Sequence, residues 1–221
     1  ARFKWPYGVD VDSAGVAYVA DQPSQAYRMI TTGGTVSTVG GDGTDNYRER
    51  PTAGSAVSQF SQPRKVCVFG TSKLYTSHQS TIRAIQLSDL VTTLVAGTHG
   101  AAQMVVNAGP GGALLHSAYG IAVDSSENVF FAELEQNLVR KIATDGTTTT
   151  VAGTQAAGMV DSTHGQLAEF DEIFALDVDA ADFLYVNDVN NARVRLLDPA
   201  TGVVTTIKTG LAGLGVAVNA A

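Results

Sequence analysis

Residues Tyr119–Gly153 read YGIAVDSSENVFFAELEQNLVRKIATDGTTTTVAG. Four short runs rich in Val, Ile, Phe and Thr are separated by clusters of Asp, Ser, Asn, Thr and Gly, which is how short strands joined by tight turns are written. With Asp124 as the reference, equivalent positions fall at Asp12, Val68 and Asp179, spaced 56, 56 and 55 residues apart. Nine residues after each reference come Asp21, Ser77, Glu133 and Asp188. The pattern occurs four times.

A period of this size means a propeller or a solenoid, in which each unit buries its faces against its neighbours. The units cover about 6–39, 63–95, 119–151 and 174–207, each holding strands A to D. The second is the most divergent: it puts Arg64 where the others have Gly8, Gly120 and Ala175, and Phe69-Gly70-Thr71-Ser72 where they have an Asp-led turn. Three connectors, about 41–62, 97–118 and 153–173, are rich in Gly, Ala, Ser and Asp, and their regular recurrence makes them part of the repeat. After Thr209 the chain passes quickly to Gly213–Val218, a fifth copy of strand A.

With 44% hydrophobic and 16% charged residues the chain can build a buried core. No apolar run approaches the roughly 20 residues of a membrane helix. The net charge of −7 is uneven: residues 1–119 sum to +2 and residues 120–200 to −10. An acidic half repels a nucleic-acid backbone, so a nucleic-acid partner is disfavoured. The lone Cys67 excludes an internal disulfide and reads as a small buried hydrophobe.

The repeats resemble those of the NHL family of β-propellers. The resemblance is carried by Tyr119–Asp124, Asn128–Glu133, Val139–Ile142 and Thr148–Gly153, and in the fourth unit by Val186-Asn187-Asp188 and Asn190–Arg195. It implies an all-β propeller of four-stranded antiparallel blades with strand A nearest the axis. Family rings commonly hold six blades, so four blades plus an extra inner strand at 213–218 imply one domain, 1–221, shaped as an arc of a larger ring. Exposed blade flanks make self-association an expectation.

Candidate chemistry comes in four sets. The strand-C arginines Arg28, Arg83, Arg140 and Arg195 read as structural, each guanidinium bridging strands or acidic turns. Asp12, Asp124 and Asp179, with Asp21, Glu133 and Asp188, read as turn residues bonding their own backbone. Asp10 and Asp177, equivalent to Val66, Ala122 and Ala217, read as the lining of a solvated channel. His78, His99, His116 and His164 would share one face of a propeller and suggest zinc. His116, however, takes the repeat position of Phe60 while the spacings of His99 and His164 differ, so neither a metal site nor any cofactor is expected. No nucleophile elbow or phosphate loop is present.

The function expected is non-enzymatic recognition of a protein or peptide through the face bearing the connectors, with Tyr47, Arg48, Arg50, Met104 and His164 as contacts. The alternative is part of a metal-dependent enzyme of the peptidyl-hydroxyglycine lyase or lactonase kind, which are similar to NHL propellers. Single-stranded RNA binding, through Arg48, Arg50, Arg64 and Lys65, is a third reading.

Overall fold

The computed structural model describes residues 2–46, 48, 58–99, 109 and 112–218. The chain forms two compact units, Ala1–Gly100 and Ala101–Ala221. In the first, β1 (Pro6–Val11), β2 (Ala17–Asp21), β3 (Ala26–Ile30) and β4 (Val36–Gly40) make one antiparallel sheet in chain order. A second sheet follows from β5 (Lys65–Phe69), β6 (Lys73–Ser77), β7 (Thr81–Gln86) and β8 (Thr92–Gly97). The second unit repeats this with β9 (Ala118–Val123), β10 (Val129–Glu133), β11 (Leu138–Ile142) and β12 (Thr148–Ala152), then β13 (Ile173–Val178), β14 (Leu184–Asp188), β15 (Arg193–Leu197) and β16 (Val204–Thr209).

The turn chemistry explains why each A–B hairpin closes where it does. Asp12 Oδ1 accepts from the amides of Ala14 and Val16, Asp124 Oδ1 from Ser126 and Asn128, and Asp179 Oδ1 from Ala181 and Phe183. One carboxylate thereby replaces two missing ladder partners. Strand D leaves through glycines with φ of 94°, 93° and 107°, namely Gly41, Gly97 and Gly153. A Cβ there would fall against the carbonyl oxygens of Gln25, Ser80 and Asn137, so both backbone angle and space demand glycine.

Every C–D ladder carries a β-bulge immediately before the recurring arginine, at Tyr27/Arg28, Ile82/Arg83, Val139/Arg140 and Val194/Arg195. A bulge turns the next side chain and leaves an outer-strand amide free of the ladder. Each unit has one core between its two sheets. In the first, Tyr18, Ala20, Tyr27 and Val39 pack on Phe60, Val66, Leu74 and Ile85. The second places Ala122, Phe130, Ala132 and Val139 against Phe170, Leu176, Leu184, Val186 and Leu197. Within each unit the arginine-bearing face of the later sheet thus lies against the earlier one.

The registers correct the sequence alignment of the second blade. Aligning the row Val66–Thr76–Arg83 on Val9–Val19–Arg28 puts Lys65 with Gly8, Cys67 with Asp10, Phe69 with Asp12 and His78 with Asp21. Arg64 and Val66 therefore do not hold the places expected of them. Pairing of Ala20 with Tyr27 but Ser77 with Ile82 shows that the second B–C connection is two residues shorter. An ungapped count cannot show such a shortening. The half-buried Cys67 lies on a sheet face, not in the core.

Asp10 and Asp177 also depart from expectation. Asp10 accepts the amide of Val68 at 2.7 Å and Asp177 that of Val218 at 2.6 Å, while each also accepts the amide of the residue after it. Both are half-buried and tie one inner strand to the next, a bridging role their sequence positions did not announce, and burial raises the Asp177 pKa. Val68 and Val218 occupy equivalent places, so residues 213–218 follow the course of an inner strand beside the fourth blade. Among the described residues this segment has no ladder partner and forms no strand.

Candidate functional site

The site is built where connectors meet the recurring arginines. Arg83 is fully buried; its Nη1 donates to the Gln59 carbonyl at 2.7 Å and its Nη2 to the Arg48 carbonyl at 2.6 Å. Arg48 and Gln59 also exchange backbone hydrogen bonds, and the guanidinium lies 4.4 Å from the Phe60 ring centre. Arg195 repeats the arrangement around the next described connector. Its Nη1 donates to the Glu169 carbonyl at 3.0 Å and its Nη2 to the Val160 carbonyl at 2.7 Å, with the Phe170 ring 5.0 Å away. Two unrelated stretches of sequence are thus held in one way. Planar guanidinium donors converge on main-chain carbonyls over an aromatic face, which suits Arg and no other side chain.

The acids at the end of strand B complete the clamp. Glu133 and Asp188 are fully buried and pair with Arg140 at 2.9 Å and Arg195 at 2.8 Å. Their other oxygens accept the amides of His116 and Asp171, just before strand A, as Asp21 accepts those of Lys4 and Trp5. These three acids are therefore cross-links between strands, not the self-bonding turn residues expected. The equivalent amide acceptors also place Leu115, not His116, at the position of Phe60 and Phe170. An apolar side chain there is what the clamp packs on.

In the second blade His78 stands at the acid's place. It is buried, stacked on Phe60 with ring centres 5.0 Å apart and planes at 7°, with Thr76 Oγ1 3.2 Å from its Nε2. Burial, with the adjacent Arg83 charge, holds its pKa well below the ordinary value, so the ring is neutral. His116 Nδ1 lies 3.1 Å from Glu135, and His164 is exposed beside Thr163. Among the described residues no three His, Cys, Asp or Glu side chains are grouped to hold a metal ion.

Of the expected contacts, Tyr47, Arg50 and Met104 lie outside the described residues. Arg48 contributes its main chain to the clamp and leaves its side chain exposed. His164 precedes a single turn of 3-10 helix, Gly165–Leu167, with its amide on Ser162 Oγ at 3.0 Å. The signal missed in the sequence is apolar: Met159, Val160 and Leu167 are all exposed on this one connector. Their backbone is nevertheless fixed. Glu169 donates to the Val160 carbonyl, Ser162 and Val204 exchange backbone bonds, and Arg193 donates to the Met159 carbonyl at 3.3 Å. A rigid loop presenting apolar side chains is suited to docking another surface.

No known protein family's model matches the chain, and no curated protein does. Solved structures do. An auxiliary nutrient binding protein from Bacteroides thetaiotaomicron matches with 17% identity and a TM-score of 0.67 over 91% of this chain and 48% of its own. Streptogramin B lyase matches with 12% identity and a TM-score of 0.60, over 91% of this chain and 53% of its own. A putative gluconolactonase gives 10% identity and a TM-score of 0.61, covering 96% of this chain and 66% of that one. The chain spans about half to two thirds of the length of these structures. At such identities the likeness is one of fold: an all-β propeller with four-stranded antiparallel blades, of which this chain supplies four.

Proposed function

We propose that this protein is a non-enzymatic recognition module of NHL-type repeats that binds a protein or peptide through its connectors. The observation that carries the reading is the exposed set Met159, Val160 and Leu167, on a connector whose main chain is clamped by the fully buried Arg195. Preordered apolar side chains bind at a lower entropic cost than mobile ones. His164, whose carbonyl accepts the Leu167 amide, adds an exposed polar side chain to the same connector.

The RNA reading has less support. Arg64 is buried, and Lys65 is half-buried with a pKa lowered by that burial, so neither belongs to an open basic face. Binding proteins and a lyase both occur among the structural neighbours, and a shared fold favours neither activity.

Selection of displayed peptides against the purified chain tests the proposal. Peptides are expected to emerge whose affinity falls about tenfold or more with Leu167→Asp, a change at an exposed side chain that leaves the melting temperature unaltered. Selected peptides indifferent to Leu167→Asp and Met159→Asp would refute the connector site. Tight stoichiometric zinc or calcium with turnover of a small substrate would move the assignment to the enzyme class.

A further inference from the structure

We infer that the partner of the 153–173 connector is a basic segment, a peptide in which Lys or Arg side chains alternate with apolar ones. The inference rests on the connector recognition proposed above and adds the partner's charge to it. Asp161, Glu169, Asp171 and Glu172 lie in this connector, which contains no Lys or Arg. The other connectors differ. Residues 97–118 include no Asp, Glu, Lys or Arg, and in 41–62 Arg48 and Arg50 offset part of the charge of Asp42, Asp45 and Glu49.

The clamp itself does not require these acids. Gln59 and Glu169 fill one place, since their carbonyls accept Nη1 of Arg83 and of Arg195. Counted on from there, Ser61 stands for Asp171 and Gln62 for Glu172. Gln62 and Glu172 both have positive φ, 50° and 58°, and donate their amides to Gln25 Oε1 and Asn137 Oδ1. The same course is thus built once with neutral side chains and once with carboxylates. Carboxylates that the fold can do without, gathered around exposed apolar side chains, complement a cationic partner.

Their placement fits that role. The Glu169 carboxylate lies over Gly158, the residue before Met159, so closely that a Cβ there would collide with it. Asp171 follows Phe170, whose carbonyl accepts the Gly158 amide. Asp161 follows Val160, and its charge is not cancelled. Arg195 lies 2.7 Å from Asp161 and 2.8 Å from Asp188, one guanidinium to two carboxylates, and of the two only Asp161 reaches solvent, its side chain 43% exposed. Arg193, the cation beside Met159, donates to the Met159 carbonyl and to Thr206 Oγ1, not to a carboxylate. Among the described residues no three acids, His or Cys group around one point, so the acids suit several spread cationic side chains better than one metal ion. The apolar side chains between them call for a partner that is apolar as well as basic.

The probes are three short capped peptides of equal length, alternating Leu with Lys, Leu with Glu, and Ser with Lys, titrated calorimetrically into the 221-residue chain. The Leu/Lys peptide is expected to bind one to one, about tenfold or more tighter than either other, and to weaken as salt is raised. Glu169→Gln, Asp171→Ser and Glu172→Gln together, the residues of the 41–62 connector, should weaken it about tenfold with little change in melting temperature. Asp89→Asn, Asp145→Asn and Asp198→Asn remove as much charge elsewhere, keep their turn hydrogen bonds and should leave affinity unchanged. Equal losses from the two sets, or no binding at millimolar peptide, would overturn the inference. Binding lost with Leu167→Ser but indifferent to the connector acids would overturn the basic partner alone and leave connector recognition standing. Leu/Lys binding indifferent to Leu167→Ser and Met159→Ser would instead overturn the recognition site on which it rests.

Discussion

His78 occupies a place where the three other blades bury a carboxylate, Asp21, Glu133 and Asp188, and it brings a different pH dependence with it. Its folded pKa lies well below 6.5 because burial and the Arg83 charge oppose protonation. In the unfolded chain the ring takes a proton near its ordinary value. The unfolded state therefore binds more protons as pH falls, so the stability this residue contributes is complete above about 6.5 and is lost below it. Thermal melts of His78→Phe, which keeps a ring on Phe60, should fall less between pH 7 and pH 5 than those of the wild type. Identical pH slopes would remove His78 as the source. The recurring arginines were legible in the sequence, as was the structural role of Arg83, Arg140 and Arg195. Their partners were not, because Gln59, Glu169, Arg48 and Val160 offer only main-chain carbonyls, which leave no mark in residue type.

At the scale of elements, turns and exits carry the specification. Gly97 and Gly34 both have positive φ, 93° and 79°, but only Gly97 has a carbonyl, that of Ser80, where a Cβ would go. Gly34→Ala is expected to cost about 1 kcal/mol, the usual penalty for that backbone region. Gly97→Ala should cost about 2–3 kcal/mol because strain and collision add. Urea unfolding checks the difference, and equal costs would mean that the exit relaxes freely. The hairpins were readable from Asp12, Asp124 and Asp179, whose turn chemistry is local. The second blade was misaligned because its B–C connection is shorter and Phe69 takes the place of Asp12, so no turn residue marked the shift. The bulges were invisible, since they arise from pairing between strands and not from any one stretch.

For the whole molecule, the repeated clamp fixes the course of the 153–173 connector, and holds Arg48 and Gln59 of the 41–62 connector, in a way their Gly- and Ala-rich sequence does not suggest. That fixed course is what would let Met159, Val160 and Leu167 act as the docking surface proposed above, although they lie outside strands. The exposed apolar side chains of this connector are not legible in the sequence, because exposure cannot be read from isolated Met, Val and Leu. Loss of Arg195 leaves Asp188 as an uncompensated buried charge, at a cost of about 3–5 kcal/mol. It should also free the connector first. Amide hydrogen exchange of Arg195→Met against the wild type tests this most directly. The amides of Gly158, Ser162 and Glu169, all hydrogen-bonded in the folded chain, should lose protection ahead of those in β14 and β15. Unchanged protection at those three amides, or equal loss across the sheet, would contradict the claim that the arginine is what holds the connector.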